Sequence, residues 1–175
     1  QGSLEFPYGG HDAGTCGCGF GAWALWALGY PEQARAMLAQ GLEWAERLAH
    51  PFSTATTLHL AGGLHCCLRE ETRARHFADT LFALSTEHGF PQWRAAARVG
   101  RGWSLALGEG PDEGIREMRQ GIADWQAAHS GIFRPIWWTM LAEACWRRGR
   151  LEEGVAALAE ATTVIHESDD RFYEA

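Results

Sequence analysis

The chain has 175 residues, room for one domain or one short repeat array, and 46% of them are hydrophobic, enough for a substantial core. A formal charge of −7 argues against a nucleic-acid scaffold, which needs an excess of Lys and Arg, and against a peripheral role on an anionic membrane. No apolar run approaches the roughly 20 residues of a membrane span, no secretory signal opens the chain, and the five Cys form no regular framework, so they read as reduced thiols of a cytoplasmic protein.

Residues 1–10 read as a leader and residues 11–175 as a single repeat domain. The leader runs into GGHDAGTCGCG at residues 9–19, where Asp12 is placed to cap a helix starting at residue 13. Gly9 and Gly10 let the chain turn into that helix. His11, Cys16 and Cys18 stand in the same stretch as ligand-type side chains. Zinc needs about four ligands in defined geometry, and on a helix Cys16 and Cys18 point about 200° apart. A metal centre at His11, Cys16 and Cys18 is therefore the weaker alternative, and no cofactor is expected.

Apolar spacing predicts eight helices, at 13–28, 32–49, 52–68, 71–88, 92–108, 112–129, 135–148 and 151–168. Pro31 suits a first helical position, where its missing N–H costs nothing. Glu32, Glu70–Glu71, Asp112–Glu113 and Glu152–Glu153 place acid where the helix dipole favours it. Most breaks are short, with a longer loop from Ser130 to Pro135, and short breaks imply antiparallel neighbours. The helices thus pair into hairpins at 13–49, 52–88, 92–129 and 135–168. Phe172 and Tyr173 read as the opening of a ninth helix. With Gln1 at the start in place of Met, both ends read as cut from a longer chain.

A shift of 40 residues aligns the hairpins. Ala22, Gly62, Gly102 and Ala142 form one column of small residues, and Ala34, Ala74, Gly114 and Gly154 another. Leu42, Phe82 and Ile122 form an apolar column. A Gly inside a helix costs about 1 kcal/mol against Ala, so these glycines predict helices packed closely enough to offset it.

Other candidate chemistry is sparse. His65, Cys66 and Cys67 diverge by about 100° per residue on a helix and cannot converge on one ion. No nucleophile and base stand in a visible positioning network, and no phosphate loop is present, so no enzyme is expected. Arg94, Arg98 and Arg101 share a helix, more simply as a solvated face than as an anion site.

The paired small-residue columns resemble the tetratricopeptide (TPR) pattern, with a period longer than the usual 34. More closely, the chain resembles the C-terminal helical-repeat region of large bacterial signalling proteins that join a nucleotide-cyclase or kinase domain to an AAA/STAND-type ATPase. Tyr8–Asp12, Leu28–Pro31, Ala49–Phe52, Glu87–Pro91, Gly121–Ile122, Leu141–Ala144 and Arg171–Ala175 carry this likeness, and Ala13 departs from it where Pro is expected. The resemblance implies an all-α, TPR-like α-solenoid of about four antiparallel helix pairs, a right-handed superhelix whose first helices line a concave groove. Carried over column by column, Trp23, Trp26, His59, Trp103, Glu143 and Trp146 are the candidate partner-binding residues. Burial between hairpins is an equal alternative for Trp23 and Trp103, and core is the expectation for Trp44 and Trp125. The function so implied is a non-catalytic scaffold or sensor binding a protein, peptide or ligand and regulating an attached ATPase or cyclase. A structural spacer or an oligomerisation module docking through uncapped ends is the second reading.

Overall fold

The computed structural model describes residues 10–108, 110–127 and 133–168, which hold eight α-helices and no strand. They are α1 (Ala13–Ala27), α2 (Pro31–Leu48), α3 (Pro51–Cys67), α4 (Glu71–Glu87), α5 (Pro91–Leu107), α6 (Pro111–Ala127), α7 (Arg134–Arg147) and α8 (Leu151–Ser168). Every helix end falls within two residues of the range that apolar spacing predicts. The ninth helix at Phe172 and Tyr173, most of the leader and residues 130–132 of the 130–135 loop lie outside the described residues. No helix is long and apolar enough to cross a membrane among the described residues. The chain divides into two compact units, Gln1–Trp93 and Arg94–Ala175.

Local chemistry sets the helix ends. Pro31, Pro51, Pro91 and Pro111 each occupy the first position of a helix, where the absent N–H has no intrahelical acceptor to lose. Asp12 Oδ1 accepts a hydrogen bond from the Thr15 amide at 2.8 Å, the cap that starts α1. His50 Nδ1 does the same for Ser53 at the start of α3. The stops repeat as well. Gly29, Arg69 and Gly149, in one column, take positive φ of 84°, 62° and 71°, and Ala49 and Gly89, in a second, take 50° and 68°. A left-handed residue after the last turn ends a helix by turning the next amide back onto the final carbonyls.

In the first unit, α1 and α2 run antiparallel. A Cβ built on Gly14 would meet the Trp44 ring at 2.7 Å, one on Gly41 would meet Cys18, and one on Gly21 would meet Met37. Trp44 is nevertheless 45% exposed rather than core, although its ring covers Gly14. Helices α3 and α4 pair likewise, with Gly62 facing Ala74 and Phe77. Residues one period apart then touch directly. Leu60 lies over Gly19, Trp23 over Gly63, and Ser53 Oγ accepts from the Asp12 amide at 2.8 Å. Those contacts place α1 and α3 side by side and parallel, so the sequence period is also the packing period.

The second unit uses the small columns most tightly. A Cβ on Gly102 would sit 2.7 Å from the Gly114 carbonyl oxygen, and one on Gly114 would sit 2.3 Å from the Ala106 nitrogen. These are backbone atoms, so α5 and α6 touch main chain to main chain. Gly154 faces the Ala142 carbonyl in the same way between α7 and α8. Trp125 of α6 meets Trp137 of α7 edge to face at 4.8 Å, a favourable aromatic geometry. Trp125 is core, as its apolar position predicts.

Candidate functional site

The six residues carried over from the repeat likeness fall into two groups by accessibility. Trp23 is buried, and its indole N–H donates to the Leu60 carbonyl at 2.9 Å. Its ring fits because Gly63 has no Cβ; one would lie 2.6 Å from Trp23 Cζ2. His59 is buried with its ring centroid 5.4 Å from that of Trp93. Burial pushes the His59 pKa down to about 3, so the imidazole is neutral at physiological pH. Trp103 is fully buried, and its indole N–H has no hydrogen-bond partner among the described residues.

The other three keep surface a partner can reach. Trp26 is half-buried and packs edge to face on Trp23 at 6.3 Å. Glu143 pairs with Arg147 at 3.0 Å across one turn of α7. Trp146, one turn after Glu143, is 66% exposed. The structure therefore brings Trp23 and Trp26 into contact, and sets Glu143 and Trp146 on one helix.

No group of three His, Cys, Asp or Glu that could hold a metal occurs among the described residues, His11, Cys16 and Cys18 included. Burial, then the nearby Asp12 charge, raises the Cys16 thiol, while Cys18 faces Gly41 of α2. Burial pushes Cys67 up to about 12 and also raises Cys145. A thiol held above neutral pH is a poor nucleophile, because the thiolate is the reactive form.

Two charge networks were not legible as such. Glu70 precedes α4 and accepts Arg35 Nη2 at 2.6 Å, Arg35 Nε at 3.0 Å and the His65 Nδ1 side at 2.6 Å. Burial would raise Glu70, but the hydrogen bonds from Arg35 and His65 outweigh it and hold the carboxyl below its ordinary value. Burial depresses His65 more than Glu70 raises it, so a neutral Nδ1–H donating to the carboxylate accounts for the short contact. In the second unit, Glu153 accepts Arg150 at 2.6 and 2.9 Å and also Arg119. From sequence, Glu70 and Glu153 read as helix-start charges. The missed signal is their spacing from Arg35 and Arg119, just short of one period.

In the second unit, Asp112, Ile115, Arg116, Arg119, Gln120 and Arg150 line a groove of about 620 Å³. Arg150 reaches Asp112 at 3.4 Å and Arg116 reaches Glu113 at 3.2 Å. Three arginines thus meet three carboxylates, Asp112, Glu113 and Glu153, and no net positive field is left to draw a phosphate. Arg98 is similarly answered by Glu117 and Asp124 at 3.2 and 3.0 Å.

The large apolar side chains on the surface are distributed unevenly. Phe20, Leu28, Tyr30 and Trp44 belong to α1, α2 and the turn between them, and Trp146, Leu151, Val155 and Leu158 to α7 and α8. Among the described residues, α3 to α6 expose none.

The chain is 23% identical to an uncharacterized protein of Rhizobium meliloti (strain 1021) over 154 residues, 88% of this chain but 15% of that protein. The chain therefore spans a small part of the relative's length. No family model matches the chain. No solved structure matches it.

Proposed function

We propose that the chain is a TPR-like α-solenoid, a right-handed stack of helical hairpins, that works as a non-catalytic protein–protein interaction scaffold. The observation that carries this reading is the confinement of large exposed apolar side chains to α1–α2 and α7–α8. A large apolar side chain left on the surface is available to a partner. Trp146 has the character of a binding anchor, a large ring with most of its area still to bury, and Glu143 adds a directional acceptor one turn away. Trp26 offers a smaller accessible edge in the same column. By the resemblance in its repeat, the module recruits or senses a protein and passes that state to an ATPase or cyclase elsewhere in a longer chain.

The test is selection of binders from a displayed random-peptide library, followed by titration against the chain and its Trp146→Ala and Glu143→Gln variants. A selected family whose affinity falls at least about tenfold with Trp146→Ala, the scale of an interface hot spot, supports the reading. No selected family, or affinities that both variants leave unchanged, refutes it.

A further inference from the structure

At Ala157 the α7–α8 hairpin departs from the other three. Its column holds Met37, Phe77 and Glu117, and each of those larger side chains crosses to the first helix of its own hairpin. Met37 reaches Gly21, Phe77 lies over Gly62 and stacks on His65 at 5.2 Å, and Glu117 pairs with Arg98 at 3.2 Å. Ala157 is too short to cross, and a groove of about 460 Å³, lined from α6, α7 and α8, stays open there. The opening is therefore set by the residue in the column.

Two neighbours around that opening are also exceptions in their columns. Trp138 stands where the other first helices carry Cys18, Leu58 and Arg98. Glu160 is an acid where Gln40, Thr80 and Gln120 are neutral. Leu141 and Ala157 are buried and give the groove an apolar floor, while Ala156 and Glu160 are exposed at its edge. The two remaining charges in the lining, Arg119 and Glu153, pair with each other. Glu160 takes part in no ion pair among the described residues. The groove thus combines one unanswered carboxylate, one indole ring and an apolar stretch, in a chain of net charge −7.

We infer that this groove takes a basic side chain, lysine or arginine, from a protein partner. The methylene stem lies along Leu141, Ala156 and Ala157, and the cationic head meets the Glu160 carboxylate. The Trp138 ring adds cation–π attraction. The occupant follows from charge complementarity. An acidic side chain would face Glu160 with no guanidinium to answer it, because Arg119 is held by Glu153. The inference rests on the scaffold reading and gives it a recognition site that Trp146 does not line.

NMR of the chain with isotope-labelled tryptophan tests it. The probe is n-butylammonium, the charged part of a lysine side chain, with n-butanol as its neutral counterpart and ionic strength held equal by sodium chloride. The Trp138 indole resonance is the one lost in Trp138→Leu, a variant that should fold because Leu58 fills that column in α3. Circular dichroism checks its helicity, and Trp138→Phe gives the same assignment if the leucine variant misfolds. Butylammonium should shift the Trp138 resonance saturably, with a Kd on the order of 10 mM for so small a ligand. Butanol should bind more weakly. Glu160→Gln, at an exposed position, should weaken butylammonium by about threefold and leave butanol unchanged. An indole resonance that never shifts saturably overturns the inference, as do equal affinities for the two probes or butylammonium binding that Glu160→Gln leaves intact. Any of those results in a chain that still binds selected peptides through Trp146 overturns this inference alone and leaves the scaffold reading standing.

Discussion

The buried imidazole of His59 makes the first unit sensitive to mild acid. In the unfolded chain His59 takes up a proton around its ordinary pKa of 6.5, whereas in the folded chain burial lowers that value to about 3. Between those values the unfolded state binds the proton and the folded state does not. The stability tied to His59 is therefore fully present above pH 6.5 and drains away as the pH falls toward 3. Each pH unit in that window is worth about 1.4 kcal/mol, so acidifying from about pH 7.5 to about pH 5 removes about 2 kcal/mol. The perturbation is His59→Phe, which keeps a flat ring beside Trp93 and cannot titrate. Urea unfolding of both proteins at the two pH values gives four free energies. His65 and Glu70 are present in both proteins and cancel in the comparison. The wild type should lose about 2 kcal/mol more than the variant on acidification. Equal losses would show that His59 titrates as an exposed histidine does, and would refute its burial.

Four further outcomes follow from the packing. Gly114→Ala should destabilise by about 1–3 kcal/mol despite a better helix propensity, because the new methyl meets backbone of α5. Gly62→Ala, whose nearest contact is an ordinary 3.5 Å, should be neutral or stabilising in the same urea titration. Ala49→Gly should raise the thermal midpoint, with a gain of about 0.5–1 kcal/mol, since Ala49 holds a left-handed φ of 50° that glycine adopts without strain. Glu70→Gln should cost about 1–3 kcal/mol at neutral pH by weakening the bonds from Arg35 and His65. Because the Glu70 carboxyl is held below its ordinary 4.5, that cost should persist above pH 4.5 and shrink below it, as denaturation at the two extremes would report.

The helices were legible because their ends are written in single residues. Pro31, Pro51, Pro91 and Pro111 start helices, and Gly29, Gly89 and Gly149 follow their stops. The small columns were legible for the same reason: Gly102 and Gly114 can hardly face anything but each other's backbone. The accessibility of the aromatic columns was not, because a column fixes the direction of a side chain and not what lies opposite. Trp23 is buried since the next residue in its column is Gly63, and Trp146 is exposed though Cys66 and Ala106 in its own column are buried. The Glu70 and Glu153 networks escaped notice because Arg35 and Arg119 sit on the preceding second helix, so only packing brings them near. Trp44 misled in the opposite sense, its apolar character giving no hint of its 45% exposure.

The two left-handed columns at the helix stops have a genetic consequence. Among the described residues, five junctions are closed by a left-handed residue of their own, at one of two positions fixed within the period. Unequal crossing-over that gains or loses forty codons would therefore deliver a complete hairpin with both of its turns intact. Such events would leave the helix starts and stops in register on either side of the break. An array built this way can change length within a lineage faster than it changes fold.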